Sequence, residues 1–86
     1  MASVEEVKAH VSASVDGAGR AATGIQQVTD QLEDALQLLR MTAVGSFHPS
    51  VAAAIAHLEQ ARTRLDEAAQ LTRAAMDSAN TFRTVI

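Results

Sequence analysis

Three histidines, at positions 10, 48 and 57, are the side chains of this 86-residue chain best suited to proton transfer or metal ligation near neutral pH. Their spacing fits neither task. None forms the His-x-x-x-His pair that puts two imidazoles on one helical face, and none completes the Glu-x-x-His pattern of di-iron bundles. Glu6 and His10 stand one helical turn apart, but at a helix start such a pair reads as a surface contact. No serine lies in a Gly-x-Ser-x-Gly elbow. Gly17 and Gly19 lack the preceding strand and the correctly spaced third glycine of a phosphate-binding loop. Cysteine is absent, which removes disulfides, thiolate nucleophiles and thiolate zinc sites. The expectation is a protein that is not an enzyme, with no catalytic residue, metal or cofactor.

Composition narrows the class further. Hydrophobic residues make up 48% of the chain, yet many are alanine, and aromatics reach only 2%. Such a composition suits close packing of helices better than a thick globular core. The net charge of −3 repels phosphate backbones, so nucleic acid is not an expected partner. No apolar run approaches the roughly 20 residues needed to cross a bilayer. The opening "MASVEEVKAH" is acidic where a secretory signal would be basic and then apolar, so a cytoplasmic location is expected, with secretion lacking a cleaved signal left open.

What positions these residues is helical periodicity. Val4, Val7, Val11, Ser14, Ala18, Ala21, Ile25, Val28, Leu32, Ala35 and Leu39 repeat at heptad spacing. Ser3 followed by Glu6 marks the start of that helix, because the pair matches a capping box. The heptad register is the same before Gly17 and after Gly24, which predicts one continuous helix despite a cost of about 1 kcal/mol for each internal glycine. Gly45 is expected to end it in the left-handed conformation. Pro49 then suits the first turn of a second helix, with His48 or Ser46 as its cap, and Phe47 beside them covering the last leucines or offered to a partner. Along that helix Val51, Ile55, Leu58, Leu65, Ala68, Leu71 or Thr72, Ala75, Ala79, Phe82 and Ile86 continue one stripe.

The predicted fold is therefore all-α: one domain over residues 1–86, with a helix over about 3–44, a turn at 45–48 and a helix over about 49–84. Two rods of similar length joined by a short turn fold back antiparallel. Folding about Gly45 pairs residues whose numbers sum to about 90, such as Leu39 with Val51, Leu32 with Leu58 and Ile25 with Leu65. Asp30, Glu33 and Asp34 then face His57, Arg62 and Arg64. Val15, Ala22 and Leu36, with Ile55, Ala69 and Met76, form further apolar columns beside the seam. If a lone hairpin leaves them in water, pairing with a second hairpin buries them, and these six residues are the expected homodimer interface of a four-helix bundle.

In its length and its two arms joined by a short turn, the chain resembles the WXG-type small helical hairpins of actinobacterial and related secretion systems, and its Gly-Ser-x-His-Pro turn and Ala/Leu-rich arms are similar to those of short actinobacterial helical proteins. Here glycine precedes the aromatic without a Trp-x-Gly, and the tail "NTFRTVI" carries no tyrosine followed by an acid. The resemblance covers the architecture, and it implies a dimeric four-helix bundle that is a substrate or partner of a type VII-like machinery, paired with itself or with another small helical protein. The reading from the residues alone is an interaction or assembly module acting as a homodimer. A third reading is a regulatory bundle that binds a small ligand in a glycine-lined gap near Gly17 to Gly24.

Overall fold

The computed structural model describes residues 3–45 and 48–86, and these form two long α-helices with no strand among them. Helix α1 spans Val4–Ala43 and helix α2 spans Pro49–Val85. They lie against each other as a hairpin 63 Å long, 19 Å wide and 14 Å thick. Gly17, Gly19 and Gly24 interrupt nothing, and α1 runs through them unbroken. Propensity is local and weak, whereas the packing of a 40-residue amphipathic rod acts along its whole length.

Capping explains both helix starts. The Ser3 Oγ accepts from the Glu6 N–H at 3.1 Å while the Ser3 carbonyl accepts from Val7 N–H at 3.0 Å. At α2 the cap is His48, whose Nδ1 accepts from the Ser50 N–H at 3.1 Å, and Pro49 follows at the first helical position, where a missing N–H costs nothing. The end of α1 departs from expectation. No described glycine has a positive φ, so Gly45 is not a left-handed cap. Val44 is still right-handed helical, and the Gly45 N–H closes a tight last turn on the Thr42 carbonyl at 3.3 Å. Ser46 and Phe47, and with them the alternative cap and the expected covering aromatic, lie outside the described residues.

The register of the hairpin also differs from expectation. Met76 reaches Gly19, Arg62 pairs with Glu33, and Arg83 donates to Ser12, each pair of numbers summing to 95 and not to 90. The shift is about one helical turn. Leu36 is thereby level with Leu58, and Leu39 with Ile55.

A seam alternating by three and four residues runs along each helix, and residues beside it, among them Ser12, Gly19, Ala35, Ala61 and Ala68, are half-buried too. On α1 the residues least exposed include Val11, Val15, Ala18, Ala22, Ile25, Thr29, Leu32, Leu36, Leu39 and Ala43. On α2 they include Val51, Ile55, Leu58, Arg62, Leu65, Ala69, Thr72, Met76 and Ala79. Two seam threonines remain satisfied because each hydroxyl donates to the carbonyl one turn back, Thr29 to Ile25 at 2.9 Å and Thr72 to Ala68 at 2.7 Å. Among the described residues Leu36 alone is fully buried, at 0% exposure. A rod with a single neighbour covers one stripe and leaves the rest of its circumference in water.

Candidate interaction surface

The six residues expected to form an outer interface lie in the seam of the hairpin itself. Leu36 is buried, and Val15, Ala22, Ile55, Ala69 and Met76 are half-buried within the single chain. The correction has a steric origin. Each of Val11, Ala18, Ile25 and Leu32 has an apolar or small neighbour both three and four residues on, so the stripe could close on either column. Side-chain bulk decides: Val15 and Leu36 fill the space between the rods where Ser14 and Ala35 would leave voids. The column Ser14, Ala21 and Val28, expected in the seam, is exposed. On α2 the seam set by Leu65, Ala69 and Met76 overrides local bulk: Leu71 is turned outward, at 71% exposure, and Thr72 is half-buried.

The seam divides the ribbon into two broad faces of different chemistry. Three interhelical polar contacts among the described residues lie on one of them: Arg40 Nη2 to Glu59 Oε1 at 3.1 Å, Arg62 Nη1 to Glu33 Oε1 at 3.1 Å, and Arg83 Nη1 to Ser12 Oγ at 2.9 Å. This polar face carries the columns Ser12, Gly19, Gln26, Glu33, Arg40 and Glu59, Asp66, Arg73, Asn80, spaced by seven. Of the charges expected to meet across the hairpin, Glu33 and Arg62 do so. Arg64 turns to Glu67 on its own helix at 3.2 Å, and Asp30 accepts from Gln26 at 3.0 Å.

The opposite face holds the complementary columns. On α1 it presents Ser14, Ala21, Val28 and Ala35, bordered by Gly17, Gly24, Gln31 and Leu38, none of them charged, with the Arg20 guanidinium 3.9 Å from a Cβ position on Gly17. Ala54, Ala61, Ala68, Ala75 and Phe82 supply the α2 side, bordered by Leu71 and Val85, with Arg64 and His57 in the Leu71 column. Val28 is 44% exposed there although it is apolar. A Cβ built on Gly24 meets no atom within 4 Å, so nothing inside the hairpin uses the missing side chain.

Among the described residues there is no cavity, including beside Gly17 to Gly24, and no group of three potential metal ligands. No helix is long and apolar enough to cross a membrane. Residues 45, 48 and 49 of the turn act as helix termini: Gly45 closes α1, and His48 and Pro49 open α2.

Compared with protein-family models, curated proteins and solved structures, the chain matches none. What defines its class is thus the geometry alone: a two-helix hairpin with one charged face and one uncharged face of small apolar residues.

Proposed function

We propose that this protein is a non-enzymatic interaction or assembly module that works as a homodimer, two hairpins pairing into a four-helix bundle. One observation carries the reading. The chain exposes 6142 Å², whereas a compact monomer of 9.0 kDa exposes about 4,900 Å². The excess of about 1,200 Å² is larger than the roughly 800 Å² that each partner contributes to a stable interface. Two thin rods cannot remove it by themselves, because each has already spent its single neighbour. A second hairpin supplies the missing layer and converts a ribbon into a bundle with a centre. Symmetric self-pairing is the commonest way in which one chain closes such a surface.

Light scattering coupled to size exclusion over a dilution series tests the reading directly. The expected mass is twice 9.0 kDa at micromolar concentration. A helical species with the mass of one chain throughout the series would overturn it.

A further inference from the structure

Resting on that homodimer, we infer that the second copy docks on the uncharged broad face, with Ala21, Gly24 and Val28 of α1 and Ala61, Ala68 and Leu71 of α2 at its centre. The seam residues Val15, Leu36 and Met76 are thereby not the contact.

Three features of the two faces select this one and this occupant. Area comes first: a broad face of the ribbon measures 63 by 19 Å, a footprint of about 1,200 Å², enough for the roughly 800 Å² that a standard interface takes from each partner. Charge comes second. Burying the opposite face would strip water from Glu33, Arg40, Glu59, Asp66 and Arg73, and desolvating such groups costs several kcal/mol per ion unless each finds a partner of good geometry. The other face has fewer such groups to place, all at its border: Arg64, whose guanidinium already bonds Glu67 and stays in water, Arg20, whose guanidinium lies 3.9 Å from a Cβ position on Gly17, and His57 in the Arg64 column. An uncharged centre also meets its own copy without like-charge repulsion. A partner chosen by charge complementarity would instead have found a charged surface to read.

The third feature is Gly24. A glycine inside a helix costs about 1 kcal/mol relative to alanine, and here no neighbour within the chain comes near enough to require it. Gly19 differs, since Met76 fills the space before it. With Gly17 and Ala21 beside it, Gly24 leaves a shallow lane along α1 in which helix backbones of two copies can approach closely.

The test is substitution on each face, read by mass and by far-UV circular dichroism. Ala21→Lys and Ala68→Lys place a charge on the docking face. Gln26→Lys places the same charge on the opposite face. Gly24→Leu fills the lane with a side chain that the single hairpin accommodates. The inference expects dimerisation at least tenfold weaker than normal, or loss of helix at the same concentration, for Ala21→Lys, Ala68→Lys and Gly24→Leu. Gln26→Lys stays dimeric and helical. If the unmodified chain is a dimer and the three docking-face variants dimerise as well as Gln26→Lys, the copies meet elsewhere, so this inference falls while the homodimer stands. A monomeric unmodified chain removes the homodimer itself and the inference with it.

Discussion

The methyl carbon of Met76 lies 3.5 Å from where a Cβ on Gly19 would stand, tying the middle of α1 to the second half of α2. That separation is ordinary van der Waals contact, so an alanine fits without moving the methionine. Gly19→Ala should therefore recover most of the helix-propensity cost of glycine, about 1 kcal/mol, raising the melting temperature by about 4–8 °C for a chain of this size. A larger residue has no such room. Gly19→Leu is expected to lower the melting temperature because it displaces Met76 from the seam, and thermal unfolding at fixed protein concentration measures both.

Leu36 and Met41 look equally apolar on paper, yet one is 0% and the other 66% exposed. Leu36→Ala should destabilise the hairpin by about 3 kcal/mol, since it removes a methyl pair from the one fully enclosed position and leaves a cavity between the rods. Met41→Ala should change stability by no more than about 0.5 kcal/mol. Urea unfolding followed by circular dichroism, with both variants at one concentration, separates the two.

At the start of α2 the acceptor for the Ser50 N–H is the His48 imidazole nitrogen. Removing it in His48→Ala is expected to cost about 1 kcal/mol and to fray the first turn, whereas His48→Asn keeps an acceptor and retains most of the stability. Amide hydrogen exchange at Ser50 and Val51 would show the difference locally, with faster exchange in the alanine variant only.

The Glu33–Arg62 pair spans the two helices at 3.1 Å but is partly exposed on both sides. A double-mutant cycle with Glu33→Gln and Arg62→Gln should give a coupling energy below about 1 kcal/mol that falls toward zero in about 1 M salt. Register rests on the packed seam, so both variants should remain fully helical. Loss of helix in either would mean that the pair, and not the apolar contact, holds the rods in place.

Much of this was legible without coordinates. Ser3 and Glu6, then Pro49 after His48, mark helix starts through chemistry confined to four residues, and the heptad repeat on either side of the glycines predicts that α1 continues through them. The face toward the partner was harder to read. Residues three and four positions on from a seam residue lie close together on a helix surface, and here both columns are apolar, so the repeat alone does not choose between Val28 and Thr29, or Leu71 and Thr72. Size points to the observed column at Leu36 against Ala35 and at Val15 against Ser14, but at Leu71 against Thr72 it points the wrong way, and there the register of the whole helix decides.

The two-rod hairpin belongs to the sequence, because caps, turn residues and amphipathic period act over a few neighbouring residues. Register, the burial of Leu36, and the separation of a charged face from an uncharged one belong to the tertiary structure. They depend on which side chains fill the gap between the rods, and that is undecided until both helices stand side by side.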